Sequence, residues 1–299
     1  MSNFQNQFLN SPPAVPRPAD NFVVGPSPVG LTHDTIQRVE RSLEQLDALQ
    51  EAIAAEVDYD VPALPFELPT GFLLSVVVPV FNECDTVTRL LGRVQALPVP
   101  LEIIVVDDCS TDGTRDVLAR LQSIPNVKVI LKDQNEGKGA ALRTGFEHAN
   151  GNVVIVQDAD LEYDPRDIPS LLRPIVEDKA DVVYGSRYLN RDLTVGSSGV
   201  HQFGNWVLTV MSNLMTGMEL TDMETCYKAI RRDLLQSMNL EQNRFGFEPE
   251  VTAKLAKLDV RIEELPVRYA ARDWDEGKKI GIKDAIATIY CIFRYSLFG

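Results

Sequence analysis

Cysteine is scarce and scattered in this 299-residue chain: Cys84, Cys109, Cys226 and Cys291 form no C-x-x-C pair. That spacing argues against a zinc site and points to a reduced, cytosolic setting. Basic residues are outnumbered, with 29 Lys and Arg against 43 Asp and Glu and a formal charge of −14. No nucleic acid is expected as a partner, because following a phosphate backbone needs a basic face. A local basic pocket for one small phosphate ligand stays compatible with that charge. No apolar run approaches the ~18 residues that span a bilayer. The N-terminus also lacks the basic-then-apolar pattern of a secretory signal. What remains is the composition of an ordinary globular protein, long enough for one large α/β domain or two small ones.

The chain divides by composition. Residues 1–32 are rich in Pro, Asn, Ser and Gly and read as a disordered tail. Over 33–60 the reading is an N-terminal amphipathic helical extension: Ile36, Val39, Leu43, Leu46 and Ile53 recur at spacings of three and four, interrupted by Gln50. It would lie on the catalytic domain; a short coiled coil giving a homodimer through 33–57 is the alternative. Residues 61–71, with Pro62, Pro65 and Pro69, read as a linker.

From residue 72 the pattern changes. The segments 72–80, 102–107, 127–131 and 152–157 are short, β-branched and nearly continuously apolar, as strands buried on both faces of a parallel sheet are. Helix-like segments 85–97, 112–122 and 138–149 separate them, so the fold class is α/β, a mostly parallel central sheet flanked by helices. In such sheets ligands bind at the carboxyl ends of the strands. The polar residues fall there: Asn82 and Glu83, then Asp107 to Asp112, then Asn135 to Lys138, then Asp158 to Glu162.

Asp158 and Asp160 are one residue apart, so in extended backbone both carboxylates face one side. Two hard oxygen ligands beside a diphosphate suit Mg2+ or Mn2+. Asp108 is assigned to a ligand, as acceptor from base or ribose groups. Asp112 and Gly113 are assigned to opening the next helix. Gly137-Lys138-Gly139 would bring backbone and one ammonium near phosphate, with a plain surface lysine as the other reading. The spacing is not that of a Walker A loop, and no G-x-G-x-x-G follows the first strand.

Taken together, Val78-Pro79-Val80-Phe81-Asn82-Glu83, Val106 to Thr114, Asp158-Ala159-Asp160-Leu161 and Gly185-Ser186-Arg187-Tyr188 resemble family 2 glycosyltransferases of the GT-A fold. Within that family the likeness is greatest to dolichyl- and polyprenyl-phosphate mannosyl- and glucosyltransferases, over roughly residues 72–280. The resemblance implies an inverting, metal-dependent transfer of a hexose from GDP-mannose or UDP-glucose to a polyprenyl phosphate. Pro79, Phe81 and Glu83 then fall in the donor-base pocket, with Phe81 where Tyr is more usual, and Asp108 contacts the base. Asp158, Ala159 and Asp160 meet the donor, the two aspartates also meeting the metal. Glu162 stands where relatives carry Gln as a third metal contact. Arg187 and the segment of Arg272, Glu276 and Lys278 would meet the acceptor phosphate, and Asp222 lies near the acceptor. A soluble or glycan hydroxyl acceptor is the alternative, and a non-catalytic nucleotide-sugar-binding scaffold a third reading.

In the second half, 187–199 reads as a mobile loop over the site. The uncharged run 203–218, with Trp206, Met211, Met215 and Met218, reads as core rather than lipid groove. Arg231-Arg232 reads as a solvated face, and Glu248 and Glu250 as helix-terminus carboxylates. Residues 281–299 read as a C-terminal amphipathic helix, resting on a bilayer, on a membrane partner or on the domain. The expected location is cytoplasmic, peripheral on the membrane's cytoplasmic face.

Overall fold

A computed structural model describes Tyr59, residues 61–272 and residues 282–298. The expected tail over 1–32, the expected helix over 33–57 and Lys278 lie outside the described residues.

The apolar runs form β1 (Leu74–Val80), β2 (Leu101–Asp107), β3 (Val127–Leu131) and β4 (Val153–Val156). They alternate with α1 (Val87–Gln95), α2 (Thr114–Leu121) and α3 (Lys138–Glu147). Every β4 residue is buried, as is every β1 residue except Pro79, which matches strands covered on both faces. The chain continues through α4 (Ile168–Val176), β5 (Val182–Ser186), β6 (Thr194–Val195), α5 (Gly199–Thr216), β7 (Lys228–Arg231) and α6 (Arg232–Ser237). Then come α7 (Phe247–Leu255), β8 (Ile262–Pro266), β9 (Tyr269–Ala270) and α8 (Ile282–Phe298).

Among the described residues the main sheet has the order β3-β2-β1-β4-β7-β5-β8. All pairings are parallel except those of β7, which runs antiparallel to β4 and β5. Because β1 lies between β2 and β4, chain progression reverses at β1, and a crevice opens at the carboxyl ends of β1 and β4.

Three sequence readings change here. Residues 61–71 hold no helix or strand, yet Val61, Leu64, Phe66 and Leu68 pack on the core. The 187–199 segment is partly tied down, since β6 pairs with β9 and the Thr194 hydroxyl donates to the Arg187 carbonyl at 2.7 Å. Arg231 is not a solvated face: its guanidinium holds Asp181 at 3.1 Å and Asp178 at 2.7 Å, fastening β7 to the turn before β5.

Candidate active site

A cavity of about 460 Å3 opens at the topological reversal, within the size range of small-molecule sites. The end of β1 supplies Pro79, Phe81 and Glu83, and the end of β2 supplies Asp108. Lys138 enters from the first position of α3. Asp158, Ala159, Asp160 and Glu162 follow β4. Arg187 follows β5 and Arg272 follows β9. Asp222 is fully buried behind that lining rather than in it.

The β2 end is a closed hydrogen-bond system. Asp108 is 3% exposed and accepts from Lys132 Nζ at 2.9 Å and from the Glu136 and Gly137 amides at 3.0 and 2.6 Å. Asp112 accepts from the Thr114 amide and hydroxyl at 3.0 and 2.5 Å and from the Cys84 amide at 3.2 Å. Burial opposes ionisation of Asp112, but these donors outweigh it and hold its pKa down to about 2. Gly113, at φ +99°, caps α2 in the left-handed region, as its assignment to the helix start anticipates. The glycines around Lys138 have a different reason from phosphate approach. A side chain at Gly137 or Gly139 would overlap the backbone carbonyls of Asn243 or Gln242, and the Ala140 amide donates to the Asn243 carbonyl at 3.0 Å. They let α3 pack against the 242–244 segment.

The β4 end is less compensated. Burial first, then the charges of Asp158 and Glu162, push the Asp160 carboxyl up to about 7. Leu161 follows at φ +63°, a conformation costly for a residue with a Cβ, so this turn stores backbone strain. The Asp160 carboxylate accepts the Glu162 amide at 3.1 Å. Glu162 accepts from Tyr269 Oη at 2.8 Å and the Arg272 amide at 2.9 Å, joining this turn to the β9 segment. Arg272 donates through Nε to the Asp160 carbonyl at 2.7 Å and grips both oxygens of Glu83 at 3.2 and 2.9 Å. Lys138 Nζ lies 3.0 Å from Asp158 and 3.1 Å from Glu248. Burial alone would lower its pKa; the two carboxylates reverse that and raise it above the usual lysine value.

Arg187 and Asp222 form a two-pronged pair at 2.7 and 2.8 Å. Asp222 also accepts the Arg187 amide at 3.1 Å and the Asn205 side chain at 3.1 Å. Asp222 therefore reaches the cavity through the guanidinium that it orients.

Two carboxylates missed by sequence reasoning complete the wall. Glu224 lies in the turn after Asp222 and Glu248 in the first turn of α7; both line the cavity. Lys228, 1% exposed, donates to the Met223 carbonyl at 3.0 Å and to the Thr225 carbonyl, fixing the turn that carries Glu224. The helix-terminus reading of Glu248 is incomplete: it does lie in the first turn of α7, but its side chain also meets Lys138. Glu250 likewise clasps the Glu241 and Gln242 amides, both at 2.8 Å.

The cavity's remaining wall comes from Leu208 of α5 and Ala285 and Thr288 of α8. These helices pack together. The core reading of 203–218 holds for Met211, Met215 and Met218, which pack on the core, but Phe203 and Trp206 are 65% and 58% exposed and stack at 5.8 Å. On α8, Ile286, Tyr290, Phe293 and Leu297 are exposed at spacings of four, three and four, one helical face. Among the described residues no helix is long and apolar enough to cross a membrane.

A mostly parallel sheet carrying this crevice and these strand ends defines the GT-A glycosyltransferase class. Residues 75–238 match the family model described as Glycosyl transferase family 2, and the chain belongs to that family. It is 31% identical over 222 residues to undecaprenyl-phosphate mannosyltransferase of Micrococcus luteus, covering 71% of this chain and 90% of that one. It is 32% identical over 211 residues to undecaprenyl-phosphate 4-deoxy-4-formamido-L-arabinose transferase of Serratia proteamaculans, covering 69% of this chain and 62% of the Serratia chain's length. In fold it is similar to glucosyl-3-phosphoglycerate synthase from Mycobacterium tuberculosis, crystallised with Mn2+, UDP and phosphoglyceric acid. That match has a TM-score of 0.59 and 19% identity and covers 84% of this chain and 83% of that one.

Proposed function

We propose that the chain is an inverting hexosyltransferase that moves a sugar from a nucleotide-sugar donor, GDP-mannose or UDP-glucose, to a polyprenyl phosphate at a membrane surface. The observation that carries the lipid acceptor is the shared use of α5 and α8. Both line the cavity, through Leu208, Ala285 and Thr288, and both leave large apolar side chains exposed. A lipid phosphate whose chain lies against such a face has its head group delivered to the site. The names of the Micrococcus and Serratia relatives support the same acceptor class.

On this reading the nucleoside lies over Pro79 and Phe81 near Asp108, and the diphosphate lies between Lys138 and the Asp158-Asp160 turn. The donor set there fits a divalent cation: two carboxylates one residue apart, with the Asp160 carboxyl raised first by burial and then by the charges of Asp158 and Glu162. Among the described residues no three acidic, His or Cys side chains come together as a metal site, so Asp158 and Asp160 would share the ion with donor oxygens. When bound, Mg2+ or Mn2+ offsets the charge developing on the departing nucleoside diphosphate.

Arg187, held by Asp222, meets the acceptor phosphate and aims one of its oxygens at the anomeric carbon. The bond from that carbon to the diphosphate breaks as the new bond forms on the opposite face. A phosphate acceptor is already anionic, so no base is required and Asp222 acts by orienting Arg187. Arg272, locked onto Glu83, closes the donor side.

The test is transfer of labelled sugar to a short-chain polyprenyl phosphate, with GDP-mannose and UDP-glucose, with and without Mn2+. Product that needs one donor, the lipid and the ion is expected. Transfer to a soluble phosphate or hydroxyl but never to the lipid would overturn the acceptor assignment.

A further inference from the structure

Among the described residues Glu224 Oε1 and Glu248 Oε2 are buried without a hydrogen-bond partner, on side chains that both line the cavity. Glu248 is nearly enclosed, its side chain 6% exposed. Buried carboxylate oxygens are normally paired, so these two mark positions at which a ligand supplies the donors. We propose that Glu224 and Glu248 are the donor-sugar subsite, accepting hydrogen bonds from free hydroxyls of the transferred hexose and setting which sugar the enzyme takes. This rests on the donor-site reading given above.

Position supports the assignment. One ammonium, Lys138, bridges Asp158 and Glu248 at 3.0 and 3.1 Å, so Glu248 lies directly beyond the carboxylate assigned to the diphosphate. In a nucleotide sugar the hexose is bonded to the terminal phosphate and must occupy that neighbouring space. Chemistry selects the ligand group as well. A second phosphate would meet the negative charge of Glu248 and would have to displace it from Lys138. Sugar hydroxyls are neutral and donate without adding charge.

The wall is also built to hold position. Glu248 sits on a helix turn, and Lys228 anchors the Met223 and Thr225 carbonyls that flank Glu224. A site that pairs a substrate hydroxyl discriminates strongly against an analogue lacking it, because its own polar atoms are then left unpaired.

Calorimetry on the full chain with Mn2+ tests this, using GDP, GDP-mannose, UDP and UDP-glucose against wild type, E224Q and E248Q. For the preferred base, wild type is expected to bind the sugar nucleotide roughly 10- to 100-fold tighter than the bare diphosphate. Each variant is expected to lose most of that increment while keeping diphosphate affinity within about threefold, which also reports an intact fold. Deoxy-sugar donors should weaken binding to wild type more than to the variants. An undiminished sugar increment in both variants would overturn the proposal. Equal loss of diphosphate and sugar nucleotide would overturn it too, by assigning both residues to structure. Wild type that binds none of the four nucleotides would instead bring down the donor-site reading itself.

Discussion

The cavity is bordered by two sets of acidic residues that sequence alone makes look alike. Asp108, Asp112 and Asp222 are saturated, each carboxylate taking at least three donors from backbone, lysine, arginine or side-chain amide and hydroxyl groups. Asp160, Glu224 and Glu248 are underserved, either raised in pKa or left with an unpartnered oxygen. The saturated set holds loops in place whether or not substrate is present. The underserved set gains its missing partners only from a ligand. Substitution should therefore cost stability throughout the first set, with function falling too where Asp222 carries Arg187, and function alone in the second.

The largest effect is expected at Asp222. It is fully buried and carries the Arg187 guanidinium, so Asp222→Ala leaves a largely buried cation unpaired. Loss of one partner from a buried pair destabilises by about 3–5 kcal/mol, measurable as a lower urea midpoint with unchanged slope. Asp160→Ala should separate from it cleanly. Its carboxylate is already unfavourable where it sits, so stability should hold or rise while transfer falls by roughly 10²–10³. A large stability loss in Asp160→Ala with activity retained would erase the distinction between the sets.

The parts legible in the sequence were those written locally. Continuous Val/Ile runs marked β1 to β4, and the i, i+2 spacing placed Asp158 and Asp160 together, because strand periodicity needs no tertiary knowledge. β7 was not legible. Its Lys228-Ala-Ile-Arg231 breaks the apolar run with two cations, and Lys228 is tolerated inside because a turn offers it carbonyls, Tyr184 its ring face at 4.9 Å, and Glu248 and Glu224 their charge. Glu224 and Glu248 were hidden for a related reason. They are 24 residues apart and meet the cavity through a turn and a helix start, contexts in which glutamate is ordinary. The aromatic face of α5 was misassigned because helical spacing alone does not say which side of a helix meets the core.

The underserved set also predicts a pH signature. Burial first, then the charge of Glu248, push the Glu224 carboxyl up to about 8 from an ordinary 4.5. The native state then holds a proton that the unfolded chain releases above 4.5. Stability from this group is complete below about 4.5 and is lost as pH climbs towards 8, flat beyond. The fall across that window is on the order of a few kcal/mol. Glu224→Gln should flatten the fall relative to wild type. Denaturation at pH 5, 6.5 and 8 measures it, and identical pH slopes in the two proteins would count against an underserved Glu224.

The smallest expected effect lies in the saturated set, at the edge nearest the donor. Asp112 opens α2 through the Thr114 amide and hydroxyl, outside the residues that line the cavity. Its pKa is lowered, to about 2, so its stabilisation is present above about 4 and lost as pH falls through 2, opposite in sign to Glu224. Asp112→Ala should cost about 1 kcal/mol at neutral pH, the usual worth of a helix-start carboxylate, and leave transfer within about twofold. Asp112→Asn keeps an acceptor oxygen and should recover part of the loss. Because Asp112 also holds the Cys84 amide, it anchors the turn that carries Glu83. A tenfold fall in transfer for Asp112→Ala without matching instability would therefore move this residue across the divide, and with it the Glu83–Arg272 clamp.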